Sequence, residues 1–203
     1  MLDSSTSVGV EGFLQELEFI KSNVRYYNIN TGCTRVGIMT YSSGVYNQFF
    51  LDGYSTQAEL ISAIGNIQYK PGNSYVSNAI NYATSTAFLA QHGGRTGVPH
   101  YGVLVTGSQS GTPTLSLTAA NAARQSGMSL YAVGVGNAVN RGELMGVSNT
   151  PDSRYMMTAD SFNSLSSLAS PLASRINGGM DWFTIHPFSI YFLFLSVLHC
   201  FFL

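Results

Sequence analysis

Asp3, Ser5 and Ser7 stand at alternate positions in Met1-Leu2-Asp3-Ser4-Ser5-Thr6-Ser7-Val8-Gly9, where a strand-like start gives way to a helical pattern. One carboxylate and two hydroxyls so placed can converge on a single hard cation, which prefers oxygen ligands. Ser and Asp are also ordinary helix caps, so the motif acquires chemical meaning only from the elements that would carry it to an open edge. The apolar strand expected to deliver Asp3 is reduced to Met1 and Leu2. Losing around five apolar residues from a central strand, at roughly 1.5–3 kcal/mol each, predicts a fold of low stability.

The elements behind this motif alternate between helical and strand patterns, as in a mostly parallel sheet covered by helices. Phe13, Leu14, Leu17, Ile20 and Val24 keep helical spacing. Residues 34–41 (TRVGIMTY) read as a buried strand, and residues 45–51 (VYNQFFL) as its antiparallel partner across a Ser-Ser-Gly turn. Helices are expected over 56–67 and 77–91, and a central strand over 100–106 (HYGVLVT). An Ala-rich helix over 117–126 stops at Gly127. Strands follow at 128–135 and 154–157, then a helix over 161–176 with Asp160 as its cap.

In an open parallel sheet, ligands bind beyond the carboxyl ends of the strands. Three loops lead to that edge: Asp3 to Ser7, Pro71 to Ile80, and Val103 to Ser110. Enzyme signatures are weak. Gly134-Val135-Gly136-Asn137-Ala138-Val139 ends in Val where a dinucleotide fingerprint needs Gly or Ala, and it comes late in the chain. No G-x-S-x-G elbow is present, and His92 and His100 lack metal-ligand spacing. Charged residues are only 9% of the chain and the formal charge is −1, so no basic footprint for nucleic acid exists. That composition fits an extracellular surface. Cys33 reads as a small buried hydrophobe, and a bridge to Cys200 is not expected.

Residues 34–41, Gly127 to Gly136 (GMSLYAVGVG) and Leu165 to Ile176 carry a resemblance that covers nearly the whole body of the chain. In order, spacing and motif it resembles a von Willebrand factor type A domain of the collagen and matrilin type. The resemblance implies an α/β fold: a doubly wound, mostly parallel, Rossmann-like sheet flanked by helices, here with its first strand truncated. It implies a domain over 1–176 and no enzymatic activity. Such domains often carry a metal-ion-dependent adhesion site built from D-x-S-x-S, a Thr in a second loop and an Asp in a T-D-G loop. Asp3, Ser5 and Ser7 match the first element, and Ser74 stands where the Thr is expected. Thr106-Gly107-Ser108 replaces T-D-G, so Gly107 takes the position of the missing Asp. The implied cofactor is Mg²⁺ or Mn²⁺, bound weakly because one carboxylate neutralises the ion poorly.

The implied function is an extracellular adhesion or matrix-assembly module that binds collagen or another matrix protein through this partly degenerate site. The alternative is a metal-independent structural or interaction domain, a fragment of a larger matrix protein. Residues 177–203 form a hydrophobic tail, and 182–203 (WFTIHPFSIYFLFLSVLHCFFL) contain no Lys, Arg, Asp or Glu. That length just suffices for a membrane anchor. A lipid-anchor signal and an alternative chain end are the competing readings.

Overall fold

Apolar runs too short for helices build one six-stranded sheet in the computed structural model, which describes residues 1–178. The strands are β1 (Leu2–Asp3), β2 (Ile38–Tyr41), β3 (Val45–Phe49), β4 (His100–Thr106), β5 (Met128–Val135) and β6 (Met156–Ala159). Their spatial order is β3-β2-β1-β4-β5-β6. Every neighbouring pair is parallel except the β2–β3 hairpin. The helices are α1 (Gly9–Val24), α2 (Gln57–Gly65), α3 (Val76–Tyr82), α4 (Pro113–Gln125), α5 (Arg141–Val147), α6 (Asp152–Tyr155) and α7 (Ala169–Ile176).

Alternation along the strands divides the core between two faces. Val105, Tyr131 and Val133 join Phe13, Leu17, Ile64 and Leu172 under α1, α2 and α7. Their neighbours Leu104 and Leu130 join Met39, Ile80 and Ala120 under α3 and α4. Near-zero exposure of residues on both faces of β4 and β5 explains why these strands read as continuous apolar runs.

Several boundaries differ from the sequence reading, each for a local reason. The expected helix over 77–91 stops at Tyr82 and continues as a π-helical turn, Ala83–Ala87. There Thr84 donates its hydroxyl to the Ile80 carbonyl at 2.9 Å, a bond that disturbs the helical ladder. The expected helix over 161–176 is split into a 3₁₀ segment, Phe162–Leu168, and α7. Pro171 has no N–H to give and so falls in the first turn of α7, where none is needed. Ser161, in a reciprocal capping box with Ser164, takes the place expected of Asp160. α4 begins earlier than expected, with Pro113 in its first turn. β6 starts two residues late because Asp152–Tyr155 forms a helical turn. β2 is confined to Ile38–Tyr41, shorter than the run that suggested it.

β1 is two residues long yet lies at the centre of the sheet, paired with both β2 and β4. Below it, between β2 and β4, opens a groove of about 360 Å³ whose lining includes Leu2, Val36, Ile38, Tyr101 and Val103. Cys33 also lines this groove; it is half-buried and disulfide-bonded, not the buried thiol the sequence suggested. Among the described residues no helix is long and apolar enough to cross a membrane. The stretch read as a membrane or lipid anchor lies outside those residues.

Candidate metal centre

β1 and β4 are neighbours, and their outgoing connections lead to helices on opposite faces of the sheet. The crevice between their carboxyl ends is therefore a topological switch point. Asp3 closes β1 and Thr106 closes β4, so both side chains are delivered to that crevice by sheet geometry alone.

The Asp3 carboxylate is fully buried. Its Oδ1 accepts the Ser5 amide at 2.9 Å. Its Oδ2 accepts the Thr106 hydroxyl at 2.8 Å and the Ser74 hydroxyl at 3.2 Å. Bonds to an ionised acceptor in a dry site are stronger than neutral ones, so this carboxylate ties three loops together. Backbone bonds reinforce the tie: Thr6 donates to Gly72 O at 2.8 Å and Gly111 to Ser74 O at 2.8 Å. Ser110, at the end of the third loop, donates its amide to Glu143 Oε2 at 3.1 Å and its hydroxyl to Ser74 O at 3.3 Å.

Asp3, Ser5 and Ser74 thus come together, as the sequence reading had placed them, while Ser7 stands exposed on the rim. Thr106 belongs with them, although the sequence reading used it only to mark the third loop. Its position at the end of the clearest central strand was the available signal. Ser5 Oγ and Ser108 Oγ are buried without a hydrogen-bond partner. Unpaired buried hydroxyls call for an additional ligand, water or ion. The donor set is oxygen only, which suits a hard divalent cation. Its charge is low: among the described residues no three His, Cys, Asp or Glu side chains gather as a metal cluster.

Position 107 is crowded by apolar side chains. A Cβ built on Gly107 would lie 2.6 Å from Phe162 Cζ and 3.1 Å from Val8 Cγ2. A side chain at this position therefore requires the Phe162 ring to shift.

A further carboxylate lies beneath the site. Glu16 of α1 is fully buried, and neither of its oxygens has a hydrogen bond of normal geometry. Burial first, then the like charge of Asp3, pushes its carboxyl well above the usual range, against the pull of the Met1 amine and the Asp3 amide. Nothing in the amphipathic spacing of α1 marked this position as buried.

The fold and the crevice define a class: a doubly wound α/β domain with an oxygen-lined site at its switch point. The chain belongs to the von Willebrand factor type A domain family, whose model matches residues 1–171. Human von Willebrand factor A domain-containing protein 2 is 33% identical over 142 residues, covering 70% of this chain and 18% of that protein. Chicken Matrilin-1 is 30% identical over 177 residues, covering 87% of this chain and 35% of that protein. Proximal thread matrix protein 1 from the mussel byssus, solved with its MIDAS motif occupied by zinc, superposes with a TM-score of 0.79. That structure is 20% identical, and the match covers 86% of this chain and 46% of the other. The chain therefore spans less than half the length of each of these proteins.

Proposed function

We propose that this domain is a non-enzymatic extracellular adhesion or matrix-assembly module. It binds a matrix protein, collagen-like in chemistry, on the crevice at the top of the sheet. The observation that carries the reading is the convergence of Ser5, Ser74 and Thr106 on buried Asp3, with Ser5 Oγ left unpaired. Kinship with Matrilin-1 supports the extracellular setting. Asp3, Ser5, Ser7 and Ser74 would hold a Mg²⁺ or Mn²⁺ ion, whose open coordination position would accept an acidic side chain of the partner. With a single carboxylate among the ligands, retention of the ion is weak.

A second reading is favoured by Phe162. An aromatic ring seated over Gly107 crowds the position of the second carboxylate and leaves a platform that a partner can dock on without metal.

Calorimetry of Mn²⁺ and Mg²⁺ on the whole chain, beside solid-phase binding to a triple-helical collagen peptide with and without EDTA, separates the two. Heat of Mn²⁺ binding and collagen binding abolished by EDTA support the metal-assisted reading. Collagen binding indifferent to EDTA supports the second. Absence of collagen binding under both conditions defeats the choice of partner.

A further inference from the structure

We propose that two copies of this chain join edge to edge through β6, in a two-fold symmetric, antiparallel pairing centred on Thr158. The surface is separate from the crevice and does not depend on a metal.

β6 closes one side of the sheet and pairs with β5 alone. Ala159 O accepts the Gly136 amide at 2.9 Å, so Met157 and Ala159 turn their backbone groups inward. Alternation turns those of Met156 and Thr158 outward. Met156 is already satisfied: its amide donates to Asp152 O, and its carbonyl accepts Arg175 Nη1 at 2.8 Å. Thr158 has no such cover. It is exposed, and its amide and carbonyl stand on the open edge as one donor and one acceptor.

A groove of about 480 Å³ runs beside this edge. Arg141 of α5 lines one wall, Leu168 and Arg175 line the other, and Met156 and Thr158 lie between them. The two walls belong to the helix layers on opposite faces of the sheet, since Leu144 of α5 packs in one core cluster and Leu168 against another. A strand edge recessed between two helix layers has the shape to admit one more strand.

Three observations select a second copy as that strand. First, a two-fold axis at Thr158 lets each Thr158 amide meet the carbonyl of the other, the exchange that defines a hydrogen-bonded antiparallel pair. Second, this register sets Asp160 of the second copy directly across from Met156. Residues opposite each other share a face of the sheet, and Met156 lies on the α5 face. Asp160 of the second copy therefore arrives between Arg141 and the Arg175 guanidinium that holds the Met156 carbonyl. By symmetry the same meeting occurs twice. Third, these charges are unspent within the chain: among the described residues Arg141, Arg175 and Asp160 form no ion pair, and Arg141 and Asp160 are exposed. Asp152, the remaining charge of the groove, belongs to α6 and precedes the paired span.

A ladder this short makes an interface at the small, reversible end of the range. Antiparallel pairing points the carboxyl ends of the parallel strands in opposite directions in the two copies. The two crevices then open at opposite ends of one continuous sheet, which turns a one-site module into a two-site one.

The test is sedimentation of the whole chain from about 10 µM to about 1 mM. A reversible monomer–dimer equilibrium is expected. Arg141→Asp and Asp160→Arg should each weaken dimerisation by about tenfold or more, because each sets like charges opposite one another at two places. The double variant carrying both changes should restore it, and Thr158→Pro, which removes the central donor, should abolish it. Urea unfolding of each variant checks that the domain is still folded. Hydrogen exchange at the Thr158 amide should slow as concentration rises, while exchange at Val133 in β5 stays constant. A chain that remains monomeric up to about 1 mM overturns the proposal, including one that takes up an acidic peptide at this edge instead. So does a dimer that all of these variants leave unchanged, or a double variant that associates no better than the single ones.

Discussion

Glu16 offers the sharpest test of the electrostatics beneath the crevice. The perturbation is Glu16→Gln, which keeps the shape and removes the ionisable group. Because burial raises the folded-state pKa of this carboxyl above its ordinary 4.5, the native protein holds a proton that the unfolded chain has released. Stability therefore falls as pH rises from the ordinary value toward the folded one, by about 1.4 kcal/mol for each pH unit. Below the ordinary value both forms are neutral, and wild type and variant should unfold at nearly the same urea concentration. Above it the variant should gain on the wild type at that limiting slope until the folded value is passed, and then hold a constant lead. The Met1 amine, lowered to about 6 by burial, acts in the opposite direction between that value and 8. It is present in both proteins and largely cancels in the difference. The assay is urea unfolding of both chains from pH 4 to pH 8 in EDTA, so that no metal beside Asp3 contributes. A difference that stays flat across this range, or a wild type more stable than the variant at neutral pH, would refute the reasoning.

Gly107→Asp alone should destabilise the domain by about 1–3 kcal/mol through overpacking against Phe162 and Val8. In a Phe162→Ala background the same change should cost less, and only that double variant should show tightened Mn²⁺ binding by calorimetry. Thr106→Val removes the shorter of two hydroxyl bonds to a buried carboxylate. It should lower stability by about 1.5–3 kcal/mol in thermal or urea unfolding, more than Ser74→Ala does. Equal costs for the two would show that Asp3 is not held as the distances indicate.

The parts of this protein that were legible from sequence are those whose neighbours are close in the chain. The D-x-S-x-S turn at Asp3, Ser5 and Ser7 is local, and the β2–β3 hairpin follows from its own turn. β4 and β5 are buried on both faces, and their composition alone declared it. What escaped was set by distant partners. Phe162 reaches Gly107 across the sheet, and no feature of either residue's surroundings in sequence links them. Glu16 sits on α1 among residues that read as an ordinary amphipathic helix, yet it is fully buried beside the charges of Asp3 and the Met1 amine. Cys33 seemed a small hydrophobe because nothing in its surroundings in sequence marks it as disulfide-bonded.

The brevity of β1 has a mechanical consequence. A pull on residue 1 meets resistance from one short strand in shear, held by the pairings of Leu2 and Asp3 with Thr40, Tyr41 and Val105. The same two residues carry the carboxylate that gathers Ser74 and Thr106. Tension strong enough to slip β1 would therefore disassemble the crevice at the first displacement, while the α4, β4 and β5 packing behind it stays intact. The strand that bears the load and the carboxylate that organises the crevice are thus vested in one dipeptide.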